Sequence, residues 1–204
     1  MNKTTDFDKR YRKGDLPWDT GRQDKNLELV IKEQPITPCY ALEFGAGTGT
    51  DAIWLAQKGF KVTALDISPT AIEIANKKAS VAGVQVEFIV ADIRKDKIPV
   101  GPFGFVYDRG CFHTFDLPEE RSYLAEIVWK YLSPGGYWFS LMGSTDGPKR
   151  EPGPPRLSAL EIVSAVESRF EVLSLTATHL ESNLPEAPRS WACLMRKRTQ
   201  ARIE

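Results

Sequence analysis

Short apolar runs alternate with longer amphipathic stretches between Cys39 and about Val106. Short runs bounded by polar residues are typical of buried strands, whereas apolar positions three or four residues apart are typical of helices that pack on a sheet. The alternation of the two predicts an α/β fold with a largely parallel sheet. The predicted strands cover 39–44, 61–66, 86–90 and 103–108, and the predicted helices between them cover 51–58 and 69–82.

Capping and turn residues set the boundaries of several elements. Ser68 and Pro69 predict the cap and the first residue of the second helix, and Gly83 predicts its end. Asp116 is predicted to cap the next helix, which runs to about position 131, with Glu119 in the capping-box position. A turn over 132–136, strands over 137–142, 170–178 and 191–196, and a helix opening at position 158 complete the predicted elements.

The segment from Gly143 to Leu157 interrupts this regular pattern. It is rich in glycine and proline and lies between a predicted strand and a predicted helix. Irregular connections of about 15 residues are uncommon inside compact domains and are often functional. We therefore expect this segment to lie over a functional site rather than to link two domains.

Composition and charge narrow the class of protein. The chain has 204 residues, of which 42% are hydrophobic, and this predicts one domain spanning 1–204. Lys and Arg total 27 and Asp and Glu total 27, so the chain lacks the net positive charge typical of nucleic-acid-binding proteins. The N-terminus has no signal-peptide pattern and no stretch is apolar enough for a membrane helix. We expect a cytoplasmic protein without nucleic-acid or membrane partners, with a monomer as the simplest state.

The cysteines and histidines are too few and too dispersed for a metal site. Cys39, Cys111 and Cys193 are widely separated, and the only imidazoles belong to His113 and His179. Structural zinc sites and disulfide frameworks need closely spaced pairs of such residues. We expect neither a metal nor a disulfide.

A glycine-rich turn follows the first predicted strand and precedes the first helix. It reads Glu43-Phe44-Gly45-Ala46-Gly47-Thr48-Gly49. In a doubly wound sheet this turn lies at the carboxyl end of the strands, where glycines let a ligand approach the backbone and the helix N-terminus offers free N–H groups. A small polar ligand is the expected occupant.

Two classes of ligand compete for this turn. A dinucleotide fingerprint needs a third glycine at the position that Thr50 occupies, and Glu43 would repel a pyrophosphate. A carboxylate at position 43 instead suits a ligand that carries an ammonium and a sulfonium group. A nicotinamide-dependent oxidoreductase therefore remains only as an alternative.

Acidic residues also follow the second and third predicted strands. Asp66 ends the second strand, where an acid is placed to accept hydrogen bonds from both hydroxyls of a ribose. Asp92 follows the third strand and is placed to accept from an exocyclic amine, with Ile67 and Ile93 as apolar walls for a purine. Three acids after three successive strands predict a nucleoside-bearing ligand with a positively charged end.

These motifs resemble those of class I S-adenosylmethionine-dependent methyltransferases over about 18–196. The resemblance rests on EFGAGTG, the acid at Asp66, the Ala91-Asp92-Ile93 triplet and the Leu132-Ser133-Pro134-Gly135-Gly136 turn. It implies a Rossmann-like, doubly wound sheet of seven strands with the last antiparallel and helices on both faces. It also implies S-adenosylmethionine as the cofactor, held by Trp18, Glu43, Gly45, Ala46, Gly47, Asp66, Ile67, Asp92, Ile93 and the backbone near Asp108.

Two further segments resemble the small-molecule branch that contains thiopurine, thiol and tellurite-resistance methyltransferases. They are Pro17-Trp18-Asp19-Thr20-Gly21-Arg22 and Asp108-Arg109-Gly110. The resemblance implies that 1–38 form a lid over the cofactor, that 39–142 form the cofactor-binding core, and that 143–204 supply the acceptor side. Tyr11 and Trp18 would then exclude water and present their π faces to the sulfonium, or Trp18 would simply anchor an N-terminal helix.

The residues after the fourth strand are the candidates for chemistry at the acceptor. Arg109 is placed to orient an anionic acceptor or to lower the pKa of a thiol, and His113 is the candidate general base. Each also has a structural alternative, since Arg109 can pair with a nearby Asp and a lone histidine is often structural. Cys111 is expected to be a small buried residue rather than a nucleophile. Further acceptor contacts are expected from Arg22, Arg189 and Trp191, with Arg156 adding positive charge.

The sequence therefore predicts transfer of a methyl group from S-adenosylmethionine to a small molecule by in-line displacement. Sulfur or a heavier chalcogen is the preferred acceptor atom, because a modest local positive potential can supply enough thiolate from a thiol whose pKa is about 8.5. Oxygen or nitrogen of a small metabolite is the alternative, followed by a module that binds the cofactor without catalysis. A protein acceptor is a further possibility, but the sequence shows no appended recognition domain that would support it.

Overall fold

The structure is a computed structural model that describes residues 3–98, 101–148 and 155–199. Its centre is a sheet of seven strands in the order β3-β2-β1-β4-β5-β7-β6, in which β7 runs antiparallel to both neighbours. This confirms the predicted doubly wound sheet with an antiparallel last strand. The strands are β1 Tyr40–Phe44, β2 Lys61–Asp66, β3 Glu87–Val90, β4 Phe103–Arg109, β5 Leu132–Gly143, β6 Phe170–His179 and β7 Arg189–Lys197.

Within the described ranges, six α-helices connect or flank these strands. Two of them precede the sheet, and the others lie between strands as predicted. They are α1 Lys3–Lys13, α2 Lys25–Glu33, α3 Thr50–Gln57, α4 Pro69–Ala82, α5 Pro118–Tyr131 and α6 Ala159–Val166, with a short 3₁₀ turn at Phe112–Thr114. None of the helices in the described ranges has the length and apolar character needed to cross a bilayer.

The caps of α4 and α6 are those that the sequence predicts. The Ser68 side chain accepts a hydrogen bond from the Ala71 N–H at 3.1 Å, and Gly83 ends α4 with a φ of 67°. At α6, Ser158 and Glu161 form a reciprocal capping box. These local hydrogen bonds satisfy donors that a helix start leaves free, which explains why the boundaries were predictable.

Two boundary predictions are wrong. Leu117 rather than Asp116 precedes α5, and the side chain of Glu120 rather than Glu119 accepts from the Leu117 N–H, at 3.4 Å. The predicted turn over 132–136 is part of β5, which pairs with β4 through a register shift between Phe103 and Phe105. The pairing passes from Leu132 directly to Tyr137, so residues 133–136 form an irregularity within the strand and have no partner in β4.

Buried side chains pack on both faces of the sheet. Val106 and Trp138 belong to the core on one face, together with α5 and α6, whereas Tyr107 and Phe139 belong to the core on the other. Because successive strand residues point to opposite faces, neighbouring positions of β4 and β5 contribute to different cores. This packing fixes the carboxyl ends of β1, β2 and β4, where the predicted site residues lie.

The flanks of the glycine- and proline-rich segment are joined to each other. The Leu157 N–H donates to the Gly143 carbonyl at 2.8 Å, and the Thr145 N–H donates to the Leu157 carbonyl at 3.1 Å. Residues 149–154, the middle of the segment that we expected to lie over the site, are outside the described residues.

Candidate functional site

The glycine turn between β1 and α3 depends on glycine at three positions. Gly45, Gly47 and Gly49 have φ values of 69°, 56° and 75°, a region that residues with a Cβ rarely adopt. A Cβ at Gly45 would lie 2.7 Å from Cβ of Cys111, and one at Gly47 would lie 2.9 Å from the hydroxyl of Tyr11. The turn is therefore closely covered by the residues after β4 and by α1. Ala46, between the first two glycines, is buried.

Asp66, at the end of β2, is hydrogen-bonded to the same turn. One carboxylate oxygen accepts from the Gly47 N–H at 2.8 Å, and the other accepts from the Ser68 N–H at 2.9 Å. Burial raises the pKa of Asp66 although these donors favour its ionised form. Asp66 thus lies where the sequence predicts a ribose-binding acid, beside the backbone of the glycine turn.

Glu43, in β1, is the least satisfied carboxyl group of the site. It is 3% exposed, and its Oε2 has no hydrogen-bond partner among the described residues. Burial, followed by the negative charge of Asp51, raises the pKa of Glu43 well above its ordinary value. A buried oxygen without a donor is costly, so a polar ligand is the natural partner of this atom.

The sequence interpretation missed two further buried acids, Asp51, whose charge acts on Glu43, and Asp24, which is hydrogen-bonded to Asp51. Asp24 caps α2, and its N–H donates to a carboxylate oxygen of Asp51 at 2.8 Å. The Tyr107 hydroxyl donates to the other oxygen of Asp51 at 3.1 Å, while burial raises the pKa of Asp51 to about 6. An Asp followed by the amphipathic stretch from Lys25 is a helix-start signal that would have identified the cap.

The guanidinium of Arg109, at the end of β4, donates hydrogen bonds to groups within the protein. Its Nε donates to Asp24 at 2.8 Å, Nη1 donates to the Trp18 carbonyl at 3.0 Å, and Nη2 donates to the Glu181 carbonyl. The side chain is 15% exposed. Arg109 therefore ties the N-terminal segment and the segment after β6 to the sheet, which is the structural alternative that the sequence left open.

His113 is also held by the backbone. Its Nδ1 accepts a hydrogen bond from the Gly143 N–H at 2.7 Å, and the Gly110 backbone is a second partner. Burial lowers the pKa of His113 to about 4, so the ring is neutral near pH 7. Because the lone pair of Nδ1 is already used, this arrangement does not support the predicted role of His113 as general base.

The other polar groups after β4 are likewise internally bonded. The carboxylate of Asp108 accepts from the Phe112 N–H at 2.9 Å and from the indole N–H of Trp138 at 3.0 Å, and burial raises its pKa to about 6. Because the Asp108 side chain is fully buried and bonded within the protein, we expect a ligand to contact the backbone of this residue. Burial also raises the pKa of the Cys111 thiol well above its ordinary value, in agreement with a structural Cys111.

Asp92, after β3, carries a bidentate ion pair. Its two oxygens accept from Nε and Nη2 of Arg94 at 2.9 and 2.8 Å. Burial opposes ionisation of Asp92, but the hydrogen bonds and charge of Arg94 outweigh it and keep the pKa of Asp92 below its ordinary value. Oδ1 also accepts from the backbone N–H of Arg94 at 3.0 Å, so Oδ2 is the oxygen that retains a further acceptor position for a purine amine. Ile93 is buried and Ile67 is half-buried, as expected for apolar walls.

The N-terminal segment covers the glycine turn. The rings of Tyr11 and Trp18 meet edge to face at 6.1 Å, and the Arg10 guanidinium lies 4.3 Å from the centre of the Trp18 ring. Asp8 fixes α1 to the start of α4 by accepting from the Ser68 hydroxyl at 2.7 Å. The contact of Tyr11 with Gly47 is the feature that residue patterns could not reveal, because it depends on how α1 docks.

The remaining predicted acceptor residues do not converge on one cationic pocket in the part of the chain that is described. Arg22 and Arg189 are exposed, and Arg156 donates to the Gly147 carbonyl at 2.7 Å. The indole N–H of Trp191 donates to the Leu157 carbonyl at 3.1 Å. With Arg109 in its ion pair, the structure gives no support for the expected pocket tolerant of negative charge.

A surface cavity of about 460 Å³ lies between α3 and α4, away from these groups. None of the residues predicted to contact the cofactor lines it. Its lining comes from Gly21, Gln23, Thr50, Ile53, Trp54, Gln57, Lys77, Lys78, Val81 and Ala82. Among the described residues, no group of three or more His, Cys, Asp or Glu side chains is arranged to hold a metal ion.

Comparison with protein families assigns residues 41–136 to the family described as methyltransferase domain. The matched range runs from β1 to the middle of β5 and includes the glycine turn, Asp66, Asp92 and the residues after β4.

Two curated relatives are similar to this chain along most of their length. One, named probable thiol methyltransferase 2, from Arabidopsis thaliana, is 31% identical over 183 residues, which are 88% of this chain and 79% of that protein. The other, 2-heptyl-1-hydroxyquinolin-4(1H)-one methyltransferase from Mycobacteroides abscessus, is 30% identical over 82% of this chain and 74% of that protein.

A solved structure from work on the conversion of a disulfide bond into a thioacetal group during echinomycin biosynthesis has a similar fold. It is 26% identical, with a TM-score of 0.84 over 95% of this chain and 91% of that one.

Proposed function

Since the chain belongs to the class I S-adenosylmethionine-dependent methyltransferases that act on small molecules, we propose that the atom it methylates is sulfur. Because the chain belongs to this family, the protein is an enzyme, and the family assignment excludes the nicotinamide-dependent alternative. S-adenosylmethionine is its cofactor and supplies a methyl carbon bonded to a positively charged sulfur.

The residues at the carboxyl edge of the sheet fit this cofactor. We propose that the unpartnered Oε2 of Glu43 accepts from its ammonium group, while the glycine turn lies along its amino-acid part. Asp66 accepts from the ribose hydroxyls, and Asp92 accepts from the adenine amine between Ile67 and Ile93. Tyr11 and Trp18 exclude water above the turn, and an aromatic face also suits a sulfonium.

The sulfur proposal rests on the hydrogen bonds that already occupy the polar side chains after β4. The Nδ1 lone pair of His113 is used by Gly143, and both oxygens of Asp108 accept hydrogen bonds from within the protein. An acceptor at this place must therefore reach the reactive, deprotonated form largely by its own acidity. Thiols have an ordinary pKa near 8.5, so several per cent is thiolate near pH 7, whereas aliphatic alcohols remain protonated.

The relatives support the same acceptor class. One similar protein is named a thiol methyltransferase, and the similar solved structure comes from work on a disulfide converted to a thioacetal, which is also chemistry at sulfur. The chain's part in catalysis is then to position thiolate and cofactor in line and to exclude water, and no covalent intermediate with Cys111 is needed.

A second acceptor class is favoured by one relative. The methyltransferase from Mycobacteroides abscessus is named for a 1-hydroxyquinolinone, whose hydroxyl group sits on a ring nitrogen. An N-hydroxyl of this kind is more acidic than an alcohol and so meets the same requirement for self-ionisation. Oxygen of an acidic N-hydroxyl is therefore the alternative acceptor.

The direct test compares the rates of methylation of acceptors that differ in the attacking atom. An aryl thiol, hydrosulfide, an N-hydroxyquinolinone, a phenol and an aryl amine are incubated singly with the enzyme and S-adenosylmethionine, and the methylated product is identified by mass spectrometry. We expect kcat/KM to be at least tenfold higher for the thiol than for the phenol or amine. A higher value for the N-hydroxyquinolinone selects the alternative, and preference for the amine contradicts both.

A further inference from the structure

Three buried carboxyl groups are neighbours in pairs: the charge of Asp51 acts on Glu43, and Asp51 accepts a hydrogen bond from the Asp24 N–H. Glu43 comes from β1, Asp51 from the first turn of α3, and Asp24 from the cap of α2, and their exposed fractions are 3%, 8% and 1%. We call these three residues the buried acid cluster. The only positively charged side chain that contacts the cluster among the described residues is Arg109.

Hydrogen-bond donors are distributed unequally within the buried acid cluster. Asp24 accepts from Arg109 at 2.8 Å and from the Asn26 N–H at 2.8 Å. Asp51 accepts from the Asp24 N–H and from the Tyr107 hydroxyl. The Oε2 of Glu43 accepts from none. Glu43 is thus the member for which the ionised form is least stabilised.

The charge balance requires a proton in the cluster. Three ionised carboxylates against one guanidinium would leave two uncompensated negative charges in the protein interior, which desolvation strongly opposes. The groups that face Glu43 from the other elements, Asp66 of β2 and Asp108 of β4, add further negative charge. Burial and the charge of Asp51 accordingly raise the pKa of Glu43 well above its ordinary value.

We propose that cofactor binding expels a proton from the buried acid cluster: Glu43 is protonated in the ligand-free protein and becomes ionised when the ammonium group of S-adenosylmethionine or S-adenosylhomocysteine pairs with it. The inference rests on the proposed placement of that ammonium group at Glu43. The exchange is balanced, since a neutral carboxyl and an ammonium give a carboxylate–ammonium pair and one proton, which passes to the buffer. No other bond forms or breaks.

Proton expulsion makes the affinity for the ligand depend on pH. The bound state holds one proton fewer than the free state, so affinity rises as pH rises through the range in which free Glu43 is protonated. The limiting slope is about tenfold in Kd per pH unit. A ligand with the same nucleoside but no amino-acid part gives no such dependence.

Calorimetry counts the proton directly. Binding of S-adenosylhomocysteine is measured at pH 7 in phosphate and in Tris, whose ionisation enthalpies differ widely, and the difference in heat gives the number of protons released. We expect proton release on binding of S-adenosylhomocysteine and none for 5′-methylthioadenosine, which lacks the ammonium group. Binding of S-adenosylhomocysteine without proton release overturns the inference and leaves the cofactor assignment intact, whereas failure to bind overturns both.

Variants identify the source of the proton. Glu43→Gln is expected to bind S-adenosylhomocysteine more weakly and without proton release. The matched control is Asp66→Asn, at another buried acid of the same turn, which is expected to weaken binding but to retain the release. Release that persists in Glu43→Gln, or disappears only in Asp66→Asn, contradicts the assignment to Glu43. If Glu43→Gln does not fold, the two ligands and the pH dependence of Kd for the unaltered protein decide.

Discussion

The ring of His113 accepts a hydrogen bond from the backbone N–H of Gly143, with 2.7 Å between the two nitrogens. This bond joins the segment after β4 to the end of β5 and uses the ring nitrogen that a general base would need. It also explains why burial can keep the ring neutral, with a pKa of about 4, without leaving the nitrogen unsatisfied. His113 is therefore assigned to positioning of the loop rather than to proton transfer.

Replacing His113 by asparagine separates these two roles. The asparagine carbonyl can accept the Gly143 N–H, so we expect kcat to change by less than about fivefold and the pH dependence of kcat/KM to keep its shape. Steady-state kinetics with an aryl thiol over the pH range of stability measures both. A loss of a hundredfold or more in kcat, together with loss of the acidic limb of the kcat/KM profile, would show that His113 acts as a general base.

The same variant changes how stability depends on pH. His113 is neutral in the folded state, with a pKa of about 4 against an ordinary 6.5, so the unfolded state binds more protons between these values. The contribution of His113 to the free energy of unfolding is complete above pH 6.5 and falls by up to about 3 kcal/mol towards pH 4. Asp51 and Asp108, with pKa values raised to about 6, act in the opposite direction, so the difference between the unaltered protein and His113→Asn isolates the histidine. Urea unfolding at several pH values measures it.

Removing the charge of Arg109 should destabilise the fold. In Arg109→Met, Asp24 remains buried without its cation, and breaking a buried pair in this way typically costs about 3–5 kcal/mol. The matched control is Arg196→Met, which breaks an ion pair whose side chains are 45% and 44% exposed and should cost less than about 1 kcal/mol. Equal losses in urea unfolding would show that Arg109 does not stabilise the N-terminal segment.

Glycine at position 45 should be required for ligand binding as well as for the turn. Alanine there combines a φ of 69° with a Cβ only 2.7 Å from Cβ of Cys111, and we expect at least tenfold weaker binding of S-adenosylhomocysteine. Gly83→Ala is the control, since its φ is 67° but nothing lies within 4 Å of the added Cβ. It should cost about 1 kcal/mol of stability and leave the Kd unchanged. The same Kd for both variants would contradict the role of the turn.

Asp8 should hold α1 over the site. Asp8→Asn weakens the acceptance of hydrogen bonds from the Ser68 hydroxyl and the Thr70 N–H and removes the ion pair with Arg12. We expect faster proteolysis between α1 and α2 and about three- to tenfold weaker binding of S-adenosylhomocysteine. Glu73→Gln, which removes an exposed charge on α4, serves as the control. Unchanged proteolysis in Asp8→Asn would show that α1 is held by other contacts.

Periodic patterns and caps predicted the strands, the glycine turn and most boundaries of α3 to α6 because these depend on neighbours in sequence. Asp66 and Asp92 were placed correctly at the strand ends for the same reason. The seven-stranded sheet with an antiparallel last strand was implied by the family resemblance instead. The environments of Arg109 and His113 were not predictable, since their partners Asp24 and Gly143 lie far away in sequence and are brought close only by the fold. The burial of Glu43 without a donor likewise depends on how α2 and α3 pack beside β1.

The pH dependence of kcat/KM for a series of aryl thiols tests the central claim most directly. If the acceptor ionises by its own acidity, the acidic limb shifts with the pKa of each thiol, and the rate below that pKa rises about tenfold per pH unit. We expect this shift when S-adenosylmethionine is saturating at every pH. A limb that stays at one pH for all thiols would reveal an ionising base on the enzyme and would overturn self-ionisation of the acceptor.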